Sequence, residues 1–101
     1  MKHIKKSKPQ INDYVICNEN SFDKPLQEFL SNNIGQIIYK DNNGDFYVQY
    51  NNIPHNIRLN FRILFDQKQS NVRFMLAKEI IFFSPNISDC ETFLASNKYN
   101  L

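Results

Sequence analysis

Residues 34–50, IGQIIYKDNNGDFYVQY, constrain this chain more than any other stretch. Two runs of β-branched and aromatic residues flank Asp-Asn-Asn-Gly-Asp, which is the composition of a β-hairpin. Asn43-Gly44 suits a type I′ turn, because both central residues of that turn need φ > 0. A two-residue loop there pairs Lys40 with Tyr47, Tyr39 with Val48, and Ile37 with Tyr50. Directly opposed residues share a face. One face then carries Ile37, Tyr39, Phe46, Val48 and Tyr50 and is read as core. The other carries Gln36, Ile38, Lys40, Tyr47 and Gln49. A loop at Asn42-Asn43 keeps these faces, whereas a three-residue loop mixes them.

The rest of the chain supplies partners for that hairpin. Asp13 to Cys17 is rich in β-formers and reads as a strand. A short helix is predicted near 24–31, with Asp23 as its cap and Pro25 in its first turn. Leu26, Phe29 and Leu30 fall on one face of it. Asn51 to Asn56 is a turn-rich connection, and Arg58 to Phe65 alternates as a strand would. Val72 to Leu76 reads as a further strand. Ile80-Ile81-Phe82-Phe83 is a continuous apolar run, which suits a strand covered on both faces. A second helix near 87–96, capped at Asn86 or at Ser88, repeats Ile87, Cys90, Phe93 and Leu94 at helical spacing. It is expected to lie over Phe82 or Phe83, Ile38 and Tyr47.

With 101 residues, this is one domain with one core. The formal charge of +2 is unevenly distributed, because Lys2, Lys5, Lys6 and Lys8 crowd the first eight residues. The remainder carries eight cationic residues against ten acidic ones. Residues 1–10 are therefore read as a basic flexible arm, and 11–101 as the folded domain. No apolar stretch follows the arm as it would in a signal peptide, and no segment approaches a membrane span. Two scattered cysteines, Cys17 and Cys90, point to a reducing, cytoplasmic setting with free thiols. Asn and Ile are abundant and Gly is scarce, which is the signature of an AT-rich coding sequence.

The order of elements carries a resemblance. A strand at Asp13–Cys17, an inserted segment, Ile34-Gly35-Gln36-Ile37-Ile38, a tight hairpin, Tyr47-Val48-Gln49-Tyr50 and a late Lys-Glu-Ile-Ile together resemble the SH3-like small β-barrels. Gly35-Gln36-Ile37 stands where KOW-type members carry Gly-x-Val or Gly-x-Ile, so the KOW and Tudor types are nearest in pattern. The resemblance spans about residues 11–83. It implies a mainly β fold with minor α: an antiparallel barrel of about five strands with the second helix packed on it. The segment before Gly35 is long, holds a helix and lacks the family's usual glycine and basic residues, a departure that weighs against nucleic-acid binding. The pattern also resembles small proteins of AT-rich viral and phage genomes, a likeness that implies no activity.

The residues offer little chemistry. His3 and His55 each stand alone, and Cys17 and Cys90 sit at core positions, so neither a nucleophile beside its base nor a metal-ligand cluster is assembled. Asp41/Asp45 and Asp89/Glu91 read as turn and helix-start residues. Two glycines cannot build a phosphate-cradling loop. The expectation is a non-enzymatic module, without metal, cofactor or small-molecule substrate, that binds a protein partner through Tyr47, Lys40, Gln49 and Tyr14. The alternative is a KOW- or Tudor-like nucleic-acid binder that contacts phosphates through Lys2, Lys5, Lys6, Lys8, Arg58, Arg62 and Arg73. A structural role in a virion or other large assembly, with the arm threading into a neighbour, is the third reading.

Overall fold

The computed structural model describes residues 8–20, 23–61 and 71–99. Lys2, Lys5, Lys6 and Arg62, with most of the predicted arm, lie outside the described residues. Lys8 is exposed, and Gln10 is tied back to the domain: its N–H donates to the Asp13 carboxylate at 2.9 Å.

Five strands form one antiparallel sheet: β1 (Tyr14–Cys17), β2 (Gly35–Lys40), β3 (Phe46–Gln49), β4 (Val72–Met75) and β5 (Ile80–Ser84). Their order is β4-β3-β2-β1-β5, and the sheet is open between β4 and β5 among the described residues. Two helices complete a mixed α/β fold: α1 (Lys24–Asn32) and α2 (Ile87–Tyr99). Of the strand expected at Arg58 to Phe65, the described part, Arg58 to Phe61, is not a strand. His55–Asn60 forms a 3-10 helix, which buries Ile57 and is followed by buried Phe61, while 62–70 lies outside the described residues. Ile57 and Phe61, both buried, lie four residues apart, a helical spacing that a period-two reading passes over.

The core lies on the inner face of the sheet, beneath α1. Asp23 caps that helix by accepting the Leu26 N–H at 3.2 Å, and Leu26, Phe29 and Leu30 turn inward as their spacing predicts. Each such side chain contributes about 1.5–3 kcal/mol of transfer free energy. They meet Val15, Cys17, Ile37, Phe46, Val48, Tyr50 and Met75 from the strands. Phe29, Tyr50 and Phe61 close a triangle of rings with centroids 5.5, 5.9 and 6.0 Å apart. The tilted and edge-to-face geometries are the favoured ones for aromatic pairs.

A second apolar layer forms where α2 packs on β5 and β1. Ile16 alternates with Val15 and Cys17, so it faces away from the core, yet it is fully buried. Phe82, paired with Ile16, stacks on Phe93 at 4.6 Å. The Ser84 hydroxyl joins strand to helix by donating to Asp89 and accepting the Asn86 N–H. The apolar run in β5 is thereby resolved: Ile80 and Phe83 pack on the core, Phe82 meets α2, and Ile81 is left exposed where the register to β1 shifts. The expected cover over Tyr47 is not provided by α2, which sits at the other end of the sheet.

The hairpin differs from its expected register in two places. Gly44 N–H donates to Asp41 C=O and Asp41 N–H to Asp45 C=O, which leaves three residues in the loop. Gly44 has φ +85°, as the third position of such a loop requires. The Asp41 carboxylate accepts the N–H groups of Asn43 and Asp45, stabilising this alternative to the type I′ turn. Lys40 therefore opposes Phe46 and Tyr39 opposes Tyr47. The register then shifts at Ile38, so that Ile37 opposes Val48. Ile37, Phe46, Val48 and Tyr50 are core as predicted, but Tyr39 is not: it is turned outward and 44% exposed.

Candidate partner-binding face

The outer face of β2, β3 and β4 carries an aromatic row. Tyr39 opposes Tyr47 across β2 and β3, and Tyr47 opposes Phe74 across β3 and β4. Their ring centroids are 5.5 and 5.3 Å apart, and both contacts are edge-to-face. Cross-strand register builds the row, since directly opposed side chains lie about 4.5–5.5 Å apart at Cβ and each ring meets the next. Beside it runs a second row, Tyr14, Gln36, Gln49 and Val72, each opposed to the next across β1 to β4. None of the strand residues on this face is charged. The surface offers flat apolar rings with phenol hydroxyls and amide groups at the rim, which suits contacts that are apolar in area and polar in orientation.

The predicted partner-binding residues divide by register. Tyr47, Gln49 and Tyr14 share this outer face, whereas Lys40 opposes buried Phe46 and belongs to the other side. Phe74 and Tyr39 were not predicted here. Tyr39 was hidden by the loop length and by the shift at Ile38. Phe74 was hidden because its neighbour Arg73 reads as the outward, solvated residue of β4, which would place Phe74 inside.

Arg73 in fact turns to the inner face, where it opposes Val48. Its Nη2 lies 2.6 and 2.9 Å from the two carboxylate oxygens of Glu19, in the segment that follows β1. Arg58 lies in the 3-10 helix and donates to Asn71 Oδ1 at 3.0 Å. Of the cations named for phosphate contact, Arg58 thus sits in the 3-10 helix and Arg73 on the inner face of β4, paired with Glu19.

Cys17 and Cys90 are free and fully buried. Burial pushes the Cys17 thiol up to about 12 and the Cys90 thiol up to about 11. Neither is a thiolate near neutral pH, and thiolates are the reactive form. The Tyr50 hydroxyl is buried against the Cys17 thiol without a well-formed hydrogen bond, and burial raises its pKa well above 10.0. His55 is exposed at the start of the 3-10 helix. Among the described residues, no group of three His, Cys, Asp or Glu side chains could hold a metal ion. No helix among them is long and apolar enough to cross a membrane. A shallow groove between β5 and α2 is lined by Phe82, Asp89, Thr92 and Phe93, and Asp89 is already engaged by Ser84. No protein-family model, curated protein or solved structure matches this chain.

Proposed function

We propose that this chain is a non-enzymatic binding module of the SH3-like barrel type, which holds a protein partner on the outer face of β2, β3 and β4. The observation that carries the reading is the Tyr39–Tyr47–Phe74 row, in which Tyr47 touches the ring on either side, on the part of the sheet away from α2. A sheet that spends three aromatic residues on its outward side gains little for its own core from them. Aromatic residues are enriched where proteins meet other proteins. The barrel assignment is supported by the strand order, with β1 between β2 and β5, and by the single 3-10 turn, Ala77–Glu79, that separates β4 from β5. A sheet of this order closes if it coils far enough to bring its two edges together.

Charge favours a protein over a nucleic acid as the occupant. Polyanion binding draws its free energy from cations placed on phosphates. The strand residues around the aromatic row supply none, and Arg73 is drawn inside by Glu19.

Selection of a random peptide display library against the full chain and against Tyr47→Ser tests the reading. Peptides enriched on the wild type are expected to bind the variant at least about tenfold more weakly, as for loss of a central aromatic anchor. Enrichment that ignores Tyr47→Ser overturns the proposal. So does tight, steeply salt-dependent binding of single-stranded RNA or DNA with no peptide enriched.

A further inference from the structure

We propose that Asn43-Gly44 is a self-modifying site: the Gly44 main-chain nitrogen displaces ammonia from the Asn43 side chain, and water then leaves aspartate or isoaspartate at position 43. Water is the only co-reactant.

The sequence concentrates this chemistry in one place. The nitrogen of the following residue must reach the asparagine Cγ, and a side chain on that residue stands in the way. Asn43 is the asparagine of this chain that is followed by glycine; the others precede larger residues, several of them Ile. Asparagine is a thermolabile residue, and glycine lets the main chain adopt conformations that a close approach requires.

The structure leaves the reacting groups accessible. Asn43 is exposed in the loop between β2 and β3. Its side-chain amide makes no hydrogen bond among the described residues. By contrast, Asn32 and Asn33 donate theirs to the Glu28 and Phe29 carbonyls, both at 2.8 Å, and Asn71 accepts from Arg58. A Cβ added at Gly44 would meet nothing within 4 Å, so the space around that residue is open. One bond restrains the nitrogen: Gly44 N–H donates to Asp41 C=O at 3.2 Å, the long end of the range. Exposed loops are where such local opening costs least.

The steps balance. Gly44 N gives up its proton and bonds to Asn43 Cγ. The Cγ–Nδ2 bond breaks, and that nitrogen takes up a proton and leaves as ammonia. Nothing is oxidised or reduced. Water then opens the succinimide ring, its hydroxyl going to an acyl carbon and its proton to Gly44 N. Cleavage between Cγ and Gly44 N gives aspartate. Cleavage between the main-chain carbonyl carbon and Gly44 N gives isoaspartate, whose main chain runs through Cβ and Cγ. Either product carries a new carboxylate.

The loop is built so that this change is felt. The Asp41 carboxylate holds the N–H groups of Asn43 and Asp45, and Asp45 Oδ1 accepts the Ala77 N–H at 2.8 Å, which ties the loop to the turn between β4 and β5. The new carboxylate arrives between Asp41 and Asp45, where like charges repel. Isoaspartate also adds one carbon to the main chain of a loop whose bonds are set residue by residue. Conversion therefore loosens the hairpin end.

The full chain is incubated in mildly alkaline buffer, well below its unfolding transition. Samples are mapped by peptide mass spectrometry and by methyl transfer from labelled S-adenosylmethionine with an isoaspartyl methyltransferase. Conversion at position 43 ahead of every other asparagine is expected, with isoaspartate outnumbering aspartate and a matching shift to a more acidic species on ion exchange. The Asn43→Gln chain, which closes such a ring far more slowly, should show neither. The converted species, separated by charge, should unfold at a lower temperature than the fresh chain. Conversion that begins at another asparagine overturns the proposal. So does an acidic shift that persists in Asn43→Gln, or a native chain that stays unconverted while the urea-unfolded chain converts. An unchanged midpoint overturns the loosening of the loop.

Discussion

The Tyr50 ring occupies the space that a β-carbon on Gly35 would need. A Cβ built at Gly35 would lie 2.8 Å from Tyr50 Cζ and 2.4 Å from Val48 Cγ1. The glycine is required here by contact, because neither neighbour can retreat from a filled core. Gly35→Ala is expected to destabilise the domain by about 1–3 kcal/mol, the usual cost of overpacking. Urea unfolding followed by tyrosine fluorescence reads the loss as a lower midpoint at unchanged slope.

Gly44 is required for the opposite reason. Nothing lies within 4 Å of a Cβ added there, but its φ of +85° strains any L side chain. Gly44→Val is expected to cost about 1–2 kcal/mol through the backbone alone. Gly44→Asn should cost less, since Asn tolerates the left-handed region. The order Gly > Asn > Val in thermal midpoint checks the assignment.

Removing Glu19 leaves the Arg73 guanidinium partly buried without its carboxylate. Side-chain exposures of 21% and 13% place this pair between a surface and a core salt bridge. Glu19→Gln is expected to cost about 1.5–3 kcal/mol, the range for a hydrogen bond to a charged group. Adding Arg73→Met to that variant should recover part of the loss, because the partly buried charge is then gone. A double-mutant cycle in urea measures the coupling, and a purely additive result would refute the inward placement of Arg73.

Alkali should destabilise the native state. Burial raises the Cys17 thiol from 9.0 to about 12, and Tyr50 well above 10.0. In the unfolded chain both groups release protons at lower pH than in the fold, so the native state holds more protons and stability falls as pH climbs. The fall begins near pH 9 with Cys17 and Cys90 and steepens above pH 10 with Tyr50. Each group contributes about 1.4 kcal/mol per pH unit between its unfolded and folded values. Cys17→Ala should flatten the first part of the curve. At pH 8, thiol labelling of the native protein should run at the rate of opening, not at that of an exposed thiol.

Much of this fold was legible in the residues, for local reasons. Asp23, Pro25 and the Leu26/Phe29/Leu30 spacing announce α1, because cap, first turn and apolar face agree. For α2 the helix was legible but its apolar face only in part: Cys90 is buried, while Ile87, expected on the same face, is 44% exposed. The candidate face was legible only in part. Tyr47 and Gln49 were placed outward, but Tyr39 was placed in the core, because strict alternation from Ile37 puts it there. The extra residue at Ile38 breaks that alternation, and nothing in the local composition marks where a register shifts. Arg73 misled in the same way: its inward turn depends on Glu19, far away in sequence, and a carboxylate that distant leaves no trace in a pattern read along one strand.

The shift at Ile38 separates two properties that sheets usually bind together. Excising Ile38 would leave Ile37 facing Val48 and Tyr39 facing Tyr47, since those partnerships lie on either side of it. Interior membership would be conserved while β2 lost the local twist that an extra residue brings. Curvature in this domain is thus an independent variable, one that insertions and deletions at a single site can adjust while every residue inside stays where it is.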